Sequence, residues 1–223
     1  MKTIALAAAA LSLSASAFAA EPWRFAVSGD SRNCGDVVVP AIAAGAKKDG
    51  AKFYWHLGDL RATYTFDEDM LAERGGNMTI AAYEKDEWND FIENQILPFG
   101  STPFFVGLGN HETIAPKTRD QFLLQFADWL DAPALREQRL ADDPKDHQIK
   151  AYYHWKQSGV DFITLDNSTA EQFDDAQVGW FEKTLLRDQT DPEVHGVVVG
   201  MHRALPNSFS CGHSMNESAQ GTV

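Results

Sequence analysis

The chain has 223 residues, of which 44% are hydrophobic, with 19 basic and 32 acidic side chains and a formal net charge of −13. So acidic a surface repels nucleic-acid phosphates and anionic lipid, which argues against non-specific partners of either kind. The length suits one ordinary domain with a sizeable core.

The first residues read as a leader. Lys2 precedes an apolar Ala/Leu stretch that ends in Ala17-Phe18-Ala19, the pattern of a secretory signal peptide cleaved near Ala19. The expected destination is periplasmic or extracellular, with residues 20–223 forming one domain. No later run is long enough to span a membrane. Five short apolar runs then predict buried strands: Phe25-Ala26-Val27, Phe53 to Leu57, Phe104-Phe105-Val106, Phe162 to Leu165 and Val197-Val198-Val199. Helical patterns fall between them at 38–48, 79–96, 119–131 and 174–188, the last with Asp174 or Asp175 as its cap. The segments 60–78 and 132–150 read as loops. Alternating strands and helices predict an α/β layered fold with helices covering a largely buried sheet.

The residues that carry chemistry stand at the ends of the strands. Gly29-Asp30-Ser31-Arg32 comes after the first, Gly58-Asp59 after the second, Gly109-Asn110-His111-Glu112 after the third and Gly200-Met201-His202 after the fifth. In open α/β sheets, ligands bind outside the carboxyl ends of the strands. Glycines at these junctions permit tight turns and close backbone approach. Each motif alone is an ordinary turn or cap. Together, Asp30, Asp59, Asn110 and His202 form an oxygen-and-nitrogen set suited to a divalent transition metal, without the thiolates of a structural zinc site. Cys34 and Cys211 either pair as a disulfide or remain thiols.

The series GD, GD, GNHE and G-x-H resembles the calcineurin-like metallophosphoesterases, a group that includes the purple acid phosphatases, over residues 23 to about 205. The resemblance implies a β-sandwich flanked by helices, two metal ions (Mn, Fe or Zn) and a small-molecule phosphoric ester substrate. By position, Asp30 would hold one ion, Asp59 would bridge both, and Asn110 and His202 would hold the other. Such a pair lowers the pKa of water and neutralises phosphoryl charge. His111 would be catalytic beside the phosphate, with Glu112 orienting it.

The chain departs from that pattern in three places. Arg32 stands where many members have a histidine ligand; a guanidinium cannot ligate metal but can grip phosphate oxygens. Ala62 stands where acid-phosphatase relatives have a tyrosine, and Tyr64 lies two residues further on. The closing histidine motif is missing, and Cys211 to Met215 resembles it only superficially, with His213 read as a loop residue near the site mouth. A C-terminally incomplete domain is therefore expected. The competing reading is a secreted metal- or phosphate-binding protein of the same fold without turnover. His56 reads as packed or surface, His147, His154 and His195 as solvated, the tryptophans as packing, and Asp67-Glu68-Asp69 as a solvated face.

Overall fold

A computed structural model of the chain describes residues 22–168 and 173–205. Strands β1 (Ala26–Ser28), β2 (Tyr54–His56) and β3 (Phe104–Val106) form a parallel sheet in the order β1-β2-β3. A second sheet contains β4 (Tyr153–Gln157), β5 (Val160–Leu165) and β6 (Gly196–Met201), with β5 antiparallel to β4 and parallel to β6. Helices α1 (Gly35–Lys48), α3 (Ile80–Phe91), α4 (Arg119–Gln125) and α5 (Ala127–Leu130) come after strands of the first sheet, and α7 (Asp175–Thr190) links β5 to β6. Two further helices are α2 (Glu68–Glu73) and α6 (Pro133–Asp142).

The side-chain alternation of the strands explains the layering. Trp55 and Phe105 of the first sheet, with Phe53 beside them, meet Trp155 and Phe162 of the second in an aromatic core between the sheets. Phe105 stacks on Trp155 at 3.8 Å between centroids, and Phe53 meets Phe162 edge-on at 4.9 Å. Fully burying such a side chain contributes roughly 1.5–3 kcal/mol, so this seam is a large stabilising element. On the outer face of the first sheet, Tyr54, Phe104 and Val106 pack with Val39, Trp88, Phe91 and Phe122 of the helices and with Phe126 between α4 and α5. On the outer face of the second, Ile163 and Leu165 pack with Val178, Trp180 and Phe181 of α7. The layers thus run helix, sheet, sheet, helix.

All five predicted strands are present. The sixth, β4, is not among them, although its hairpin has a readable signal: Ser158 and Gly159 both take positive φ (53° and 81°) between it and β5. The predicted loop 132–150 contains α6, whose Pro133 sits in the first turn where its missing N–H costs nothing. The charges of α6 hide it, because among its residues only Leu135 is buried. The predicted helix 119–131 breaks at Phe126, where φ −102° and ψ 19° leave helical space. Helix α1 starts three residues earlier than predicted because Asp69 Oδ2 accepts the Asp36 N–H at 2.9 Å, a cap supplied from distant sequence. Asp174, not Asp175, caps α7, accepting the Gln177 N–H at 2.8 Å.

His154 is not solvated. It is buried in β4, with Nδ1 2.6 Å from Asp161 and Nε2 2.5 Å from Asp142 of α6. Burial lowers its pKa, but the two carboxylates outweigh that and hold it above the usual histidine range. His147 and His195 are exposed as expected. Among the described residues no helix is long and apolar enough to cross a membrane.

Gly200 marks the tightest contact between the sheets: a Cβ there would lie 2.2 Å from the Trp55 ring. Gly200→Ala is expected to lower stability by about 1–3 kcal/mol through overpacking. Urea unfolding checks this, and a variant as stable as the parent would contradict the close sheet contact.

Candidate metal centre

The strand-end motifs come together because their backbones touch. The Asp30 N–H donates to Gly58 O at 2.9 Å and the Ser31 N–H to Asp59 O at 3.1 Å, tying the first loop to the second. The second meets the third at two glycines. A Cβ on Gly58 would lie 2.4 Å from Gly109 N, and one on Gly109 would lie 2.3 Å from both the Asp59 N and its Oδ1. Asp30 and Asp59 both occupy left-handed backbone (φ 52° and 58°), a conformation that Asp tolerates better than most residues.

Asp59 is 2% exposed and lies at the centre. Its Oδ1 accepts the His111 N–H at 3.0 Å and lies 3.2 Å from His202 Nε2. His202 Nε2 in turn lies 3.0 Å from Asn110 Oδ1. Asp30, Asp59 and His202 each offer a ligand atom within 4.8 Å of the others. Adjacent donors around an ion with bonds near 2.1 Å stand about 3.0 Å apart in octahedral and about 3.4 Å apart in tetrahedral geometry, so the Asp59–His202 and Asn110–His202 spacings suit donors sharing one divalent cation. Burial holds the His202 pKa below its usual range, against the Asp59 and Asp30 charges, which favours the neutral imidazole that metals bind.

The other carboxylate oxygen of Asp59 faces elsewhere. Oδ2 lies 3.6 Å from Arg32 Nε and 3.6 Å from His111 Nε2. Arg32 also reaches Asp30 Oδ1 at 3.3 Å through NH2, and its NH1 lies 2.5 Å from His111 Nε2. His111 Nδ1 lies 2.7 Å from the Ala62 carbonyl, which can only accept, so the proton sits on Nδ1 and the Nε2 lone pair faces the guanidinium. Tyr64 lies over this imidazole, with ring centroids 5.1 Å apart.

Glu112 does not orient His111. It is fully buried and accepts N–H bonds from Asp59 (2.9 Å), Leu60 (2.8 Å) and Gly109 (2.8 Å), joining the second and third loops. Burial, and then the Asp59 charge, push its carboxyl up to about 8 against these donors. Of its two expected states, His56 adopts the packed one. Gly58 N–H donates to its Nδ1, so its Nε2–H donates to Ser31 Oγ at 2.9 Å and steadies the first loop. Burial pushes its pKa down to about 3, so it stays neutral.

In the Asp67-Glu68-Asp69 run, Glu68 is exposed as expected, but the two aspartates are not solvated. Asp67 is buried and accepts from Asn33 N (2.6 Å), Ala62 N (2.9 Å) and Tyr83 Oη. Asp69 joins Asp36 and Asp90 around the buried Arg61. These bonds bind the loop carrying Arg32 to the loop carrying Ala62. Asn167 is a further site residue that the sequence motifs do not include. Its side chain, 1% exposed, accepts the Arg203 N–H at 2.9 Å and donates to Arg203 O at 2.7 Å, fixing the main chain next to His202. Its position just past β5 is the signal that marks it. His213 and any Cys34–Cys211 pairing lie outside the described residues.

The fold of the chain aligns with solved structures. A dimetal phosphatase from Danio rerio aligns at TM-score 0.53 and 10% identity, over 83% of this chain and 72% of that one. The fold is that of the metallophosphoesterases. A purple acid phosphatase from yellow lupin (Lupinus luteus) seeds aligns at TM-score 0.56 and 15% identity, over 88% of this chain. The chain spans about a third of the lupin enzyme's length, the match covering 34% of it. No protein-family model matches the sequence, and no curated protein matches it. At these identities the likeness concerns the metallophosphoesterase fold.

Glu112→Gln is expected to cost about 1–3 kcal/mol, because the amide –NH2 must face at least one of the three backbone donors. Denaturant unfolding of the two proteins checks this. Equal stabilities would show that the loops are not joined through this carboxylate.

Proposed function

We propose that the chain is an exported, metal-dependent hydrolase of phosphoric esters. The observation that supports this most is the convergence of Asp59 Oδ1, Asn110 Oδ1 and His202 Nε2 at 3.0–3.2 Å, beside a guanidinium and an imidazole. A cation on the three donors supplies an acidified water and offsets phosphoryl charge. Arg32, 27% exposed in its side chain, offers N–H groups to the phosphate oxygens. His111, its tautomer set by the Ala62 carbonyl, presents Nε2 on the same side and, once protonated there, gives that proton to the leaving oxygen. Asn167 and Glu112 hold the loops that carry these groups. The leader at residues 1–19 supports a periplasmic or extracellular location.

One observation favours a second reading, a metal- or phosphate-binding protein without turnover. An Arg32 N–H already occupies the His111 Nε2 lone pair, so the imidazole has no proton to give until that contact opens. Asp59→Asn separates the readings. For a hydrolase, turnover of p-nitrophenyl phosphate by the metal-loaded protein falls by about 100-fold or more while the far-UV spectrum is unchanged. Absence of turnover in the parent chain, with metal bound, would support the binding reading.

A further inference from the structure

The two oxygens of Asp59 face different neighbours. Oδ1 is turned to His202 and, through it, to Asn110. Oδ2 is turned to Arg32, whose guanidinium also reaches Asp30 and His111. A bridging carboxylate in a two-metal site would give one oxygen to each ion. Here the second side of the bridge is already served by a positive charge that belongs to the chain.

We propose that this site takes a single divalent cation, held by Asp59, Asn110 and His202, and that the Arg32 guanidinium seated between Asp30 and Asp59 replaces a second ion. The proposal rests on the metal-dependent reading above and departs from the two metals of the Danio rerio phosphatase.

Three features support it. First, the Asp30 side of the site offers too few donors. Among the described residues, the side chains reaching it are Asp30, Asp59, Arg32, His111 and His202, and Arg32 has no lone pair to give. The His111 Nε2 lone pair is already taken by Arg32, and His202 Nε2 is committed to the Asp59 Oδ1 and Asn110 side, which leaves only the two carboxylates for a second ion.

Second, charge balances with one ion. Asp30 and Asp59 carry two negative charges near Arg32, so one dication leaves the group one unit positive, matched to an incoming phosphate. A second dication would sit beside a guanidinium that cannot deprotonate.

Third, Arg32 is held where it is needed. Neighbouring Ser31 is anchored by His56, and Asn33 N–H by the buried Asp67, so the backbone on both sides of Arg32 is fixed. The side chain is thereby directed toward Asp30, Asp59 and His111.

Metal counting tests this without reference to turnover. The full chain is stripped of metal, dialysed to saturation against Mn(II), and its bound Mn measured by mass spectrometry. The expected content is one ion per chain for the parent, two for Arg32→His and one again for the Asp30→Asn, Arg32→His double variant. Two ions in the parent, or one in a folded Arg32→His, overturns the proposal while leaving the hydrolase reading intact. No ion in the parent overturns both. Should Arg32→His not fold, the parent and Asp30→Asn still decide: one ion in each supports the proposal, and two falling to one overturns it.

Discussion

Asp59 is a buried carboxylate whose two oxygens serve two different neighbours, and the local structure is arranged to allow this. A carboxylate with 2% exposure is costly unless its charge is matched. Here His111 N–H, Arg32 Nε and the His202 imidazole lie within 3.0–3.6 Å of it. The two glycines that let the second and third loops touch are the steric condition for this, since a side chain at either would enter the space of the opposite backbone. Electrostatics then limits what can be added. A dication 4 Å from a guanidinium is repelled by about 8 kcal/mol at an effective dielectric of 20, enough to decide occupancy unless carboxylates offset it.

The rest of the fold keeps these loops in register. The aromatic seam between the sheets fixes β4 and β5 against β2 and β3, and Gly200 of β6 packs on Trp55, so His202 arrives opposite Asn110. Trp55 carries two parts of that register. Its ring fills the space above Gly200, and its Nε1–H donates to Thr164 Oγ1 at 3.1 Å. Beneath the first sheet's loops, Arg61 with Asp36, Asp69 and Asp90 forms a buried ionic layer that joins α1, α2 and α3 to the loop after β2. Such a layer adds little net stability but is strongly destabilising when one partner is lost, so it specifies one arrangement of these loops.

Much of this is legible in the sequence, for identifiable reasons. Short apolar runs mark five of the strands, and glycine followed by a polar ligand at four strand ends marks the residues that meet at Asp59. The hidden features depend on partners far apart in sequence. His154 looks solvated because neither Asp142 nor Asp161 is at a telling spacing, and Asp67 looks exposed because its donors are Asn33, Ala62 and Tyr83. Glu112 comes directly after His111, which suggests contact, yet the loop turns it toward backbone N–H groups of the neighbouring strand end. Helix α6 is obscured by its own polarity, since a helix that buries one leucine shows almost no apolar periodicity.

That the strand ends build a cation site at Asp59 is tested most directly by anomalous diffraction from a crystal of the chain grown with Mn(II). An anomalous peak is expected about 2.0–2.3 Å from Asp59 Oδ1, Asn110 Oδ1 and His202 Nε2. A well-ordered site with no peak among these three residues would contradict it.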